Sequence, residues 1–302
     1  MLKLIETSNL QRALEETAED LNRKMDVLLP KVARCGEAKV LEAMRYSALA
    51  PGKKMRPFLV CASAGLFGVS KETSLQTAAA LEFIHVYSLI HDDLPAMDDD
   101  DTRRGQPSCH VKFGEAAAIL AGDGLLTMAF EVLSDDTTHP NPAVRCELIK
   151  EVAKAAGVSG MVGGQMMDLD AEHATLTVDE VIHLQRMKTG ALFGVSCEAG
   201  AILGKAAPKL RTALRGYANA IGLAFQITDD LLDVEGNRED TGKPVRQDKT
   251  KGKATLVSAI GVDRARQQAA MLVSQAKTHL EAFEERANLL RELADFVINR
   301  KG

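Results

Sequence analysis

Two stretches, Ser74 to Ile90 and Val181 to Leu203, are apolar around almost the whole helical circumference, and Leu210 to Val234 is a third of the same kind. A helix with no polar face must be enclosed by other elements. Several of them in one chain demand a sizeable helical assembly. From Leu10 to Leu29, apolar Leu10, Leu14, Leu21, Met25, Leu28 and Leu29 recur at helical spacings. Aromatic residues make up only 4% and tryptophan is absent, while Ala, Leu, Glu, Lys and Met abound, which favours helix over strand. Breaks are short and local: Pro51-Gly52, Gly68-Val69-Ser70, Pro140-Asn141-Pro142, and Gly236 to Lys253. No linker, internal repeat or low-complexity tract divides the chain. It reads as a single all-α domain, residues 1–302, of roughly ten or more helices.

Charge and cysteine usage exclude several functions. An apolar share of 46% beside 26% charged residues is globular, and a net charge of −5 argues against nucleic acid as a partner. No run approaches the roughly 18 apolar residues of a membrane span, and the first residues lack a signal peptide's pattern. Cys35, Cys61, Cys109, Cys146 and Cys197 are scattered and odd in number. They read as reduced thiols, so a cytoplasmic location is expected.

The chemistry is concentrated after the first apolar helix. Six of the ten residues from 92 to 101 are Asp, followed at once by Arg103-Arg104. Adjacent carboxylates repel one another unless cations neutralise them. Hard oxygen ligands of this kind suit magnesium, which takes one or two carboxylates and completes its shell with water and phosphate. On an ideal helix Asp98 would lie about 120° around from Asp92. Pro95, however, should loosen the chain after Asp93, and a loop could bring Asp98 back beside Asp92. A solvated acidic turn is the plainer alternative.

A second acidic motif sits in Phe225-Gln226-Ile227-Thr228-Asp229-Asp230-Leu231-Leu232-Asp233, where Asp229 and Asp233 share one helical face. Cations accompany both motifs. Lys53 and Arg56 open a helix after Gly52, where exposed amides also favour anions. Lys188 and Thr189 lie within an apolar helix, where an unpaired lysine is costly. Lys243 and Lys253 bracket a Gly-rich stretch after the second motif. Singly each is an ordinary solvated lysine or ion-pair partner; together they suggest magnesium-bridged diphosphates. His85 either donates to an oxyanion or is a satisfied core histidine. Gly160, Gly163 and Gly164 allow close helix approach, with Gln165 and Asp168 one turn on as candidate cavity residues. No nucleophile elbow, Cys/His pair, dinucleotide fingerprint or P-loop is present.

These motifs taken in order resemble the trans-prenyl diphosphate synthases, and among them the bacterial farnesyl diphosphate synthases. The resemblance covers nearly the whole chain: GKKMRPFLV from Gly52, HVYSLIHDDLPAMDDDDTRRG from His85, GGQMMDLDAE from Gly163, MKTGAL from Met187 and GLAFQITDDLLDV from Gly222. It implies an all-α bundle of the isoprenoid synthase type around a deep central cleft, usually a homodimer, holding two or three Mg2+ ions. By position, Asp92, Asp98 and Asp229 are implied as principal metal ligands, supported by Asp93 and Asp233. Arg103, Lys188, Lys243 and Lys253 are implied to hold the allylic diphosphate, with Thr189 and Gln226 lining the reacting centre. Gly52, Lys53, Arg56, His85 and Arg104 are implied to hold isopentenyl diphosphate. Departures are few: Pro51 stands where glycine is common, Lys54 where arginine is frequent, and Thr228 before the second acidic pair.

The resemblance implies condensation of isopentenyl diphosphate with dimethylallyl and geranyl diphosphates to farnesyl diphosphate. Ionisation of the allylic diphosphate comes first, alkene attack on the cation follows, and the departed diphosphate takes the proton. Geranyl or geranylgeranyl diphosphate synthesis is the alternative within the family. A terpene cyclase needs no second diphosphate site, so Lys53, Arg56, His85 and Arg104 count against it. A non-catalytic helical subunit need not retain every motif. For product length, Tyr87 and Ser88 stand five and four residues before Asp92, about 7.5 and 6 Å along the axis. The resemblance ties an aromatic at the fifth position, with two extra residues in the first acidic motif, to a fifteen-carbon product. Tyr87 as a simple core aromatic is the alternative.

Overall fold

Small polar residues set several helix starts. Ser8 accepts from the Gln11 N–H at 3.2 Å, and Ser70 from the Thr73 N–H at 3.2 Å. The computed structural model describes residues 8–31, 36–171, 174, 176–235 and 255–300, which fall into two units, 1–149 and 150–302. The first unit holds α1 (Asn9–Leu28), α2 (Ala38–Ala48), α3 (Met55–Gly65), α4 (Lys71–Asp92), a hairpin of β1 (Thr102–Arg103) and β2 (Gln106–Pro107), α5 (Cys109–Phe113), α6 (Glu115–Ser134) and the start of α7 (Pro142–Ala156). The expected breaks at 51–52 and 68–70 fall between helices, and that at 140–142 runs into the first residue of α7, Pro142, whereas 236–253 lies outside the described residues.

Helix α4 is the centre of this unit, packing on α3 and α6. It is buried on nearly every side, as its sequence predicts. Beyond its first turn and His91, the exceptions are His85, Ser88, Leu89 and Asp92, a half-buried stripe at helical spacing. Gly122 lets α6 approach: a Cβ there would lie 2.1 Å from His91 Nε2, which donates to the Ile119 carbonyl at 3.0 Å. The sequence predicts no run near the length of a membrane span, but by length and composition α6, alone among the described residues, passes that test. Its apolar window has mean hydropathy 1.6 and is half buried within the protein.

The second unit continues with α8 (Met161–Ala171), α9 (Val178–Gln185), a π-helical turn at Arg186–Gly190, α10 (Ala191–Leu203), α11 (Pro208–Glu235), α12 (Leu256–Ile260), α13 (Val262–His279), a 3₁₀ stretch at Glu281–Ala287 and α14 (Asn288–Asn299). Helix α11 packs on α10, α13 and α14, and its buried Tyr217 donates to the Leu290 carbonyl at 2.8 Å. The sequence reads Val181 to Leu203 as one helix; the structure interrupts it with the π-turn. The reason lies in α8, which comes so close that a Cβ on Gly164 would sit 2.2 Å from the Lys188 backbone nitrogen. The extra residue of a π-turn re-aims the side chains it carries, here Lys188 and Thr189.

Candidate active site

In the first unit, α4 ends at Asp92 with Asp93 as its cap. The chain then reverses: the Met97 N–H bonds the Leu94 carbonyl at 2.9 Å, and the Asp98 N–H bonds the Asp92 carbonyl at 2.8 Å. Asp98 is thus returned beside Asp92. Both are half-buried, whereas Asp93 is turned inward and 2% exposed. Arg103 binds Asp93 through Nε at 2.9 Å and through Nη2, and lies 3.6 Å from Asp100. Burial pushes the Asp93 carboxyl above its usual range while Arg103 pulls it down.

The hairpin that carries Arg103 turns through Arg104-Gly105, both left-handed at φ 54° and 75°. Arg104 Nη1 donates to the Pro51 carbonyl at 3.0 Å. Its guanidinium lies so near Gly52 that a Cβ there would be 2.7 Å from Cζ. Arg56 Nη1 stands 3.2 Å from His85 Nε2. Arginine has no acceptor, so Nε2 accepts and a neutral His85 carries its proton on Nδ1. Burial, reinforced by Arg56, Arg104, Lys54 and Arg103, pushes the imidazole well below its ordinary pKa. Gly52, Lys53, Arg56, His85 and Arg104 therefore belong to one cationic neighbourhood, with Lys53 exposed at its edge. Tyr87 is buried with its ring edge-on to His91, 5.7 Å between centroids, while Ser88 lies on the stripe leading to Asp92.

In the second unit, Lys188 Nζ donates to Asp168 Oδ2 at 2.5 Å. Thr189 Oγ1 donates to Gln226 Oε1 at 3.1 Å, and Gln226 Nε2 to Asp230 Oδ1 at 3.0 Å. Gln185 completes this chain on the buried Asp230 at 3.2 Å. Asp229 and Asp233 occupy the half-exposed face of α11. Arg300 binds Asp229 Oδ1 at 2.6 Å and the Phe225 carbonyl at 3.1 Å, with its guanidinium 3.9 Å over the Phe225 ring. Lys243 and Lys253 lie outside the described residues.

Sequence reasoning passed over Arg300, Glu82 and the buried role of Lys54. Glu82 alone carried a signal, being an acid inside an apolar helix that needs a cation. Among the described residues no three His, Cys, Asp or Glu side chains are gathered to hold a metal by themselves. Asp92 and Asp98 nevertheless fit magnesium, a hard cation that takes few carboxylates and keeps water and phosphate as its other ligands.

The polyprenyl synthetase family model matches residues 37–293. The farnesyl diphosphate synthase of Escherichia coli is 48% identical over 266 residues, 86% of this chain and 89% of that protein. The geranylgeranyl diphosphate synthase of Cyanophora paradoxa is 43% identical over 278 residues, 91% and 92% of the two chains. The crystal structure of an FPP/GFPP synthase from Zymomonas mobilis superimposes with a TM-score of 0.88 at 46% identity, covering 96% of this chain and 99% of that one.

Proposed function

The chain belongs to the polyprenyl synthetase family, and on that premise we propose that it condenses isopentenyl diphosphate with dimethylallyl and geranyl diphosphates to give farnesyl diphosphate. The observation that carries this reading is the return of Asp98 to Asp92, with the Asp98 N–H 2.8 Å from the Asp92 carbonyl. That backbone return at a helix end supports reading Asp92 and Asp98 as a paired carboxylate site.

Asp92, Asp98 and Asp229, supported by Asp93 and Asp233, would hold two or three Mg2+ ions, which supply positive charge to the departing diphosphate. Arg103 and Lys188 hold the allylic diphosphate, joined by Lys243 and Lys253. Asp168 keeps the Lys188 ammonium in place beforehand, so little reorganisation accompanies bond breaking. The Thr189 hydroxyl donates its hydrogen bond to Gln226, which leaves its oxygen lone pairs for the allylic cation. Gly52, Lys53, Arg56, His85 and Arg104 hold isopentenyl diphosphate so that its alkene attacks that cation. The departed diphosphate then takes the proton, and no side-chain base is needed.

The family match spans both units, which favours one catalytic domain over residues 1–302. Exposed Ile119 and Leu120 on α6 suit a homodimer contact. The described cysteines are all free thiols, in keeping with the cytoplasm. A geranylgeranyl product is the second reading, favoured by the Cyanophora relative. Incubation with magnesium, radiolabelled isopentenyl diphosphate and geranyl diphosphate tests both: a fifteen-carbon product is expected, and a twenty-carbon one overturns the farnesyl reading. Tyr87 is assigned as the cavity floor, with Ser88 the alternative. Tyr87→Ala should therefore lengthen the product on chromatography of the dephosphorylated alcohols, and an unchanged distribution removes Tyr87 from that role.

A further inference from the structure

The cationic neighbourhood of the first unit contains an ion pair that the reaction does not use. Lys54 Nζ donates to Glu82 Oε1 at 2.9 Å and to the Ala48 carbonyl at 3.3 Å. Both side chains are only 1% exposed. Desolvating two charges this completely offsets most of their attraction, so stability is a poor reason for such a pair. The backbone points to another. Lys54 is left-handed at φ 46° and ψ 41°, in the position before the first residue of α3, and no side chain caps that helix. A non-glycine residue stays in that region only where its surroundings hold it there.

What holds it is α4. Glu82 and His85 are three apart and therefore share one face of that helix. Glu82 grips Lys54, and His85 accepts from Arg56 at 3.2 Å. Two neighbouring residues of α4 thus clamp two residues at the start of α3. Between them the chain is committed: Lys54 points inward, Lys53 stays exposed, and Arg56 is held beside His85. Glu82 also acts on Arg104, opposing the burial that lowers its pKa. One buried carboxylate therefore balances two of the cations gathered there.

We propose that Glu82, acting through Lys54, is the positioning residue of the isopentenyl diphosphate site. It fixes the Gly52–Arg56 turn on α4 so that Lys53 and Arg56 present their charges together. Lys54 itself, although it stands in the same basic run, makes no contact with the diphosphate. The inference rests on the proposed assignment of this cluster to isopentenyl diphosphate.

Steady-state kinetics of the full-length enzyme, varying each substrate at saturation of the other, tests it. Glu82→Gln and Lys54→Met should each raise the KM for isopentenyl diphosphate about tenfold, with the KM for geranyl diphosphate held within about twofold. Lys54→Arg, which keeps the charge, should restore the ordinary KM. Lys54→Met combined with Glu82→Leu replaces the pair by apolar groups that commonly fold well, so it separates positioning from stability. This double variant should melt like the parent yet keep the raised KM. A double variant with parental KM, or single variants that shift both KM values equally, overturns the inference. Arg56→Ala is the control. If it leaves the KM for isopentenyl diphosphate unchanged, the assignment of the cluster is wrong. If it raises that KM while the Glu82 variants do not, only the positioning role falls.

Discussion

At Asp92 the helix stops, and at Asp229 it does not. The first motif assembles because α4 ends, Asp93 caps it, and the chain folds back until Asp98 bonds the Asp92 carbonyl. The second needs no such break: α11 runs on to Glu235, and helical period alone puts Asp233 on the face of Asp229. Their counter-charges differ in the same way. Arg103, ten residues along the chain, bonds the inward Asp93, while Asp92 and Asp98 are both half-buried. Arg300, separated by 71 residues, bonds Asp229 itself. The first motif is a local device whose neutralising cation is written beside it. The second is a simple helical pattern whose cation arrives from elsewhere in its unit.

The largest expected effect tests whether the two motifs are equivalent in function. Asp92→Ala and Asp229→Ala should each lower kcat by about a thousandfold or more, with the helical circular dichroism unchanged. Near-normal turnover of either variant would end the equivalence. Next, the cations should divide by unit. Lys188→Ala should lower kcat about a hundredfold, whereas Lys53→Ala should mainly raise the KM for isopentenyl diphosphate. The same defect in both variants would merge the two substrate sites into one.

Packing offers a smaller contrast between the units. A methyl on Gly164 meets the Lys188 backbone, 2.2 Å away, while one on Gly122 meets the end of the His91 side chain at 2.1 Å. Backbone cannot swing aside, so Gly164→Ala should cost about 2 kcal/mol in urea unfolding and Gly122→Ala less. The reverse order would mean that His91 is the more rigid neighbour.

The smallest effect is a pH dependence confined to the first unit. His85 is held well below its ordinary 6.5 by burial and then by the charges of Arg56, Arg104, Lys54 and Arg103. As pH falls through 6.5, the unfolded chain takes up the proton before the folded one does. The stability linked to His85 is therefore whole above that pH and declines below it. Urea midpoints between pH 7.5 and 5 should fall more for the parent than for His85→Gln. Equal slopes would show that His85 protonates as readily in the fold as out of it.

Patterns with a short period were legible from residues alone. The enclosed helix from Ser74 to Ile90 and the pairing of Asp229 with Asp233 both follow from spacing, because adjacent turns of one helix fix which side chains share a face. Pro95 likewise announced that α4 would end near Asp93. Motifs in combination then carried the family and its chemistry.

Pairings between distant segments were not legible. Lys54 and Lys53 are adjacent and chemically identical, yet one is buried on Glu82, 28 residues away, while the other faces water. Nothing in their spacing distinguishes them; the left-handed turn at Lys54 does, and that turn exists because α4 lies against it. The π-turn at Lys188 has the same origin, since it answers the close approach of α8 at Gly164. Arg300 on Asp229 is a third case. The sequence by itself determined the helical class, the acidic motifs and the family. Tertiary structure alone decided which like-charged neighbours stay exposed and which are held in the core, because desolvation and pairing depend on what each side chain meets.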